Sequence, residues 1–90
     1  MSRNRYAKRR DTNEAEIVAM LERIGCDVIR ADDVDLLVGR AGNTYLLEVK
    51  RPDRATESRI RPIQKRLRDG WRGHYAIVTS CEEAMAAVLT

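Results

Sequence analysis

Ninety residues are enough for one domain with a modest core, and an apolar content of 43% can build it. Charged residues make up 34% with both signs present, which argues against wholesale disorder, and no apolar run approaches the roughly 20 residues of a bilayer span. The formal net charge of +3 hides an asymmetry: five of the first ten residues are basic, nine more basic residues run from Lys50 to Arg72, and eight of the fourteen acids lie from Asp11 to Asp35.

Basic stretches around a cluster of acids suit a polyanionic partner. A solvated charged surface is the plainer reading of the same pattern. Cys26 and Cys81 have no metal-ligand spacing and read as reduced thiols in the cytoplasm. No apolar segment follows the basic N-terminus, so it does not read as a secretory signal.

Residues 1–12 lack apolar periodicity and read as a basic arm, with a single folded domain over 13–90. Arg9 and Arg10 in the arm can contact phosphates or simply aid solubility. Asp11 or Thr12 can cap a helix over 13–24, whose Ile17, Met20, Leu21 and Ile24 form one stripe that Gly25 ends. Glu14 stands at the N-terminal end of that stripe. Taken alone, it serves the helix dipole.

A short strand follows over 26–30, then a turn at Asp32 and Asp33. A second strand over 34–39 carries Asp35 within an apolar run. The turn over 40–43 favours a tight hairpin, one or two residues longer than the simplest type. The third strand, over 44–50, holds the most telling pattern. Glu48 and Lys50 share one face while Leu47 and Val49 share the other. An acid and a base at the end of an apolar strand are costly to bury without a purpose.

Residues 52–58 read as a loop, and Pro62 opens a helix that Gly70 stops, with Ile63 and Leu67 inward. Gln64 carries an amide suited to a water or phosphate contact, although most helical glutamines are merely solvated. Lys65, Arg66 and Arg68 form a basic outer face. A fourth strand over 74–78 is nearly all apolar and reads as internal to the sheet. A last helix over 82–89 is capped by Thr79 or Ser80, with Ala84, Met85, Val88 and Leu89 inward. His74 reads as a strand-edge residue, and Trp71 and Tyr75 read as packing residues, with base stacking as the lesser alternative. The order is α-β-β-β-α-β-α, an α/β class with a mixed sheet and a helical crossover into the last strand.

Asn13-Glu14-Ala15-Glu16, Val34-Asp35-Leu36, Leu47-Glu48-Val49-Lys50, Arg61-Pro62-Ile63-Gln64 and Tyr75-Ala76-Ile77-Val78 resemble, in this order, the PD-(D/E)xK nuclease superfamily. The resemblance is closer still to its VRR-NUC (virus-type replication-repair nuclease) branch and spans about residues 13–85. Archaeal Holliday-junction resolvases look similar over the first half. The family's Pro-Asp stands here as Val34-Asp35, which keeps the carboxylate. The small size resembles stand-alone bacteriophage members.

The resemblance implies a restriction-endonuclease-like fold and a Mg²⁺- or Mn²⁺-dependent endonuclease. Asp35, Glu48 and the Val49 carbonyl would bind the ion, with Glu14 completing the acidic site. Lys50 would position the attacking water, and Gln64 would hold that water or the phosphate. Branched DNA, above all four-way junctions, is the implied substrate. A homodimer would supply paired nicks. Arg9, Arg10, Arg51, Arg61, Lys65, Arg66 and Arg68 would grip phosphates rather than read bases. The rival readings are a non-catalytic DNA-binding or scaffolding domain that keeps the nuclease fold, a nuclease for flaps or linear DNA, and a plain α/β domain.

Overall fold

The computed structural model describes residues 12–31, 34–51 and 62–89. Helix α1 (Thr12–Arg23) forms where the stripe demands it: Ile17, Met20 and Leu21 are all buried. Its end is a paired-bond cap. Gly25, at φ 98°, donates to the Glu22 carbonyl, and Cys26 donates to that of Leu21. Cys26 and Leu21 then enter the core together.

Strand β1 (Asp27–Arg30) pairs antiparallel with β2 (Leu36–Arg40), which pairs antiparallel with β3 (Asn43–Val49). The β2–β3 connection corrects the expected longer turn. Arg40 pairs directly with Asn43, so only Ala41 and Gly42 form the loop, at φ 53° and 81°. This is the simplest hairpin, whose twist needs two left-handed residues. A second correction concerns Asp35. It lies one residue ahead of β2, in a bend rather than within the strand.

Helix α2 (Pro62–Gly70) starts at Pro62 as expected and crosses over to β4 (His74–Val78), which runs parallel to β3. The sheet order is β1-β2-β3-β4, so among the described residues β4 is an edge strand rather than an internal one. Its apolar content has another source: both α2 and helix α3 (Cys81–Val88) pack against it. Ser80 caps α3, its Oγ accepting from Glu83 N at 3.1 Å. The Glu83 carboxylate reaches back to the amide and hydroxyl of Thr79. Leu89 terminates this helix and is exposed rather than inward.

Alternation sets one face of the sheet. Leu36 and Val38, with Tyr45, Leu47 and Val49, join Val78 in a core that includes α1 and the Ala84 and Val88 side of α3. The result is an α/β arrangement of a four-stranded mixed sheet and three helices. Among the described residues no helix is long and apolar enough to cross a membrane.

Candidate functional site

Three acidic side chains are buried among the described residues: Glu14 at 2%, Asp35 at 5% and Glu48 at 3% exposure. Burying carboxylates is unfavourable unless each is compensated. The compensation differs for each, and it defines the site.

Asp35 Oδ2 accepts the Val49 backbone N–H at 2.7 Å. The β2–β3 ladder has its last pair at Leu36 and Leu47. Beyond it a side chain replaces the backbone as acceptor. Counting one step past that pair sets Asp35 opposite Glu48. Like charges placed opposite one another on neighbouring strands repel.

Glu48 and Lys50 share a face of β3, as alternation requires, and Lys50 Nζ stands 3.8 Å from Glu48 Oε2. That is an ion-pair distance, too long for a hydrogen bond. The Lys50 backbone is held from both sides. Its N–H donates to Val78 O at 2.9 Å, and its carbonyl accepts from Asn13 Nδ2 at 3.0 Å.

Asn13 Nδ2 also donates to the Thr79 carbonyl at 2.9 Å. One amide thus pins the first turn of α1 to the residues just past β3 and β4. Asn13 Oδ1 is buried and accepts no hydrogen bond from the described residues.

Glu14, the neighbour of Asn13, has a different partner. Its Oε2 accepts from Arg30 Nε at 3.1 Å. Arg30 pairs opposite Leu36 and so lies on the α1 side of the sheet, its side chain 49% exposed.

The expected residues are therefore brought together in part. Asp35, Glu48 and Lys50 meet at the end of β2 and β3. Glu14 approaches the same end from α1, but Arg30 engages its carboxylate. Among the described residues no group of three or more His, Cys, Asp or Glu side chains gathers closely enough to hold a metal ion. Val49 enters through its N–H. Arg51 is half-buried just past β3, and Lys65, Arg66 and Arg68 are exposed on α2, Arg68 against Asp69 at 3.1 Å. The Gln64 side chain, Arg9, Arg10 and Arg61 lie outside the described residues.

Sequence reasoning missed Asn13 and Arg30. Each had a faint signal. Asparagine is a weak former inside a helix and seeks backbone partners. Period-two counting in β1 puts Arg30 on the same face as Val28, an inward position for a charge.

Three buried carboxylates thus lie toward one end of the sheet, with Arg30 on Glu14 and Lys50 beside Glu48. Compared with family models, curated proteins and solved structures, the chain finds no match. Function is therefore argued from this corner and from the motifs.

Proposed function

We propose that this chain is a metal-dependent deoxyribonuclease with a restriction-endonuclease-like core of the VRR-NUC kind, hydrolysing phosphodiester bonds in branched DNA. The observation that carries the reading is the buried Asp35 beside the buried Glu48, with Lys50 Nζ 3.8 Å from the Glu48 carboxylate.

The donor set fits Mg²⁺ or Mn²⁺. These ions take hard oxygen ligands, and Mg²⁺ characteristically uses only one or two carboxylates, with water and substrate phosphate filling the rest. Two carboxylates without a third therefore suffice. Asp35 and Glu48 would hold the ion, with the Val49 carbonyl and Glu14 as further oxygens. When bound, such an ion lowers the pKa of a coordinated water and offsets phosphate charge.

Lys50 supplies the rest from a fixed backbone. Its ammonium orients the attacking water by donating to it and stabilises negative charge growing on the phosphate oxygens. Asn13 keeps Lys50 and the α1 turn in register. In the family pattern Gln64 would steady the water or the phosphate. Arg51 and the exposed Lys65, Arg66 and Arg68 supply phosphate contacts. Paired cuts in a four-way junction call for a homodimer, with each copy presenting one site. The protein would act in the cytoplasm of a bacterial or phage-infected cell.

One observation favours a second reading. Glu14 and Asp35 each already hold a hydrogen bond that explains their burial. A non-catalytic DNA-binding domain could keep both for stability alone.

Cleavage of a labelled four-way junction separates the two, beside linear duplex, flap and single-strand controls, with Mg²⁺ or Mn²⁺ and with EDTA. The nuclease reading expects metal-dependent paired nicks, reduced by at least about 100-fold in Glu48→Ala. Binding without cleavage, the same in wild type and Glu48→Ala, would replace it with the DNA-binding domain.

A further inference from the structure

Trp71 is the chain's single tryptophan, and the residue is 49% exposed. A lone exposed apolar residue is ordinary on a protein surface. This one is held in place. Its backbone N–H donates to the Leu67 carbonyl at 3.0 Å, extending the hydrogen bonding of α2 past Gly70. Its indole then lies over Gly73. A Cβ built on Gly73 would meet the indole Nε1 at 2.7 Å, closer than real contacts allow, so the missing side chain makes the seat. The glycine is needed here for space.

The surroundings are basic. Lys65, Arg66, Arg68 and Arg72 are all exposed within eight residues, with Asp69 as the acid between them. Beyond Gly73, the His74 ring stands 4.4 Å from that of Tyr45, tilted by 33°. These two rings, with Leu47, Gly73, Tyr75, Ala76 and Ala87 of α3, line a separate shallow cleft of about 300 Å³ that includes neither Trp71 nor any described residue of α2.

We infer that the corner between α2 and β4 is a stacking site for one unpaired base of a nucleic-acid strand, Trp71 supplying the ring face and α2 the phosphate contacts. Aromatic platforms set in a cationic groove bind single strands in this way, because every base has a π face and every linkage a charge. The inference rests on the nucleic-acid half of the reading above and is independent of its chemistry. The corner is also separate from the acids. Gly73 lies four residues before Ile77, the partner of Glu48, so roughly 13 Å of strand lies between them. A fork or flap offers unpaired bases at such a remove from paired backbone.

Trp71 reports on its own site. The test uses the full chain as Glu48→Gln in EDTA, so that no cutting occurs. Tryptophan emission is followed while oligo(dT) or a blunt hairpin duplex is added. Labelled oligo(dT) is titrated in parallel by anisotropy against Trp71→Leu and Gly73→Ala, each checked for folding by circular dichroism. Saturable quenching by oligo(dT) but not by duplex is expected, with affinity about tenfold weaker in Trp71→Leu. Gly73→Ala should shift the emission before any ligand is added and weaken oligo(dT) binding several-fold. Unaltered oligo(dT) affinity in a folded Trp71→Leu would overturn the stacking site. If such a variant still bound duplex, the nucleic-acid reading would survive alone. No binding of either DNA would remove both. Emission that changed with protein concentration before DNA was added would assign the corner to contact between copies, which also overturns the inference.

Discussion

The Val49 amide and the Asp35 carboxylate are joined at 2.7 Å, which makes one acid both the end of a β-ladder and half of a candidate cation site. The two roles can be separated because they need different atoms. The ladder needs an acceptor oxygen, and a cation needs negative charge.

Asp35→Asn keeps the acceptor and discards the charge. It should fold with near-native stability and lose cleavage. Asp35→Ala leaves the Val49 N–H buried and unsatisfied, at a cost of about 1–3 kcal/mol. Urea denaturation of both variants checks the first expectation, and the junction assay checks the second. Equal destabilisation by Asn and Ala would contradict the capping role.

Arg30→Ala should destabilise the fold by about 2 kcal/mol, between the values for exposed and buried ion pairs, because Glu14 stays buried without its guanidinium. Glu14→Gln in the same background should recover most of the loss. A double-mutant cycle by denaturant melts gives the coupling. Additive single effects would mean that the pair contributes nothing to stability.

Ala41 occupies a left-handed conformation at φ 53° without the freedom of glycine. Ala41→Asn creates the Asn-Gly sequence that two-residue hairpins prefer and should stabilise the protein by about 1 kcal/mol. A rise in Tm is the readout. A fall would show that the Ala41 side chain makes a contact worth more than the strain it bears.

Burial pushes the Cys26 thiol above its ordinary 9.0, against the lowering effect of Arg40 and with help from Asp27. The folded chain thus holds this proton more tightly than the unfolded chain does. The resulting stability is complete below pH 9.0 and is lost as pH rises through the higher folded value. Tm measured from about pH 8 to 11 should therefore fall less steeply in Cys26→Ala than in the parent. At pH near 8 a thiol reagent should modify the half-exposed Cys81 before Cys26.

Local rules explain how much of this could be read from residues alone. The Ile17, Met20 and Leu21 stripe, Gly25 and Pro62 announced two helices because spacing, φ and ring geometry act within a few residues. The shared face of Glu48 and Lys50 followed from strand alternation. The edge position of β4 did not follow, since two packed helices can make an outer strand as apolar as an inner one. The bend at Asp35 was hidden by an apolar run that continues on both sides of it. Asn13 and Arg30 were hidden for another reason. Their partners lie 37 and 66 residues away for Asn13 and 16 for Arg30, and no local rule spans such distances.

The Asn13 amide reaches one carbonyl 37 residues further along the chain and another 66 residues further along. During synthesis the first turn of α1 emerges long before Thr79 exists. Any growing chain that ends short of Thr79 therefore lacks one of the two anchors that seat Glu14 and Lys50. The seat of Glu14 and Lys50 is complete only once Thr79 has been made.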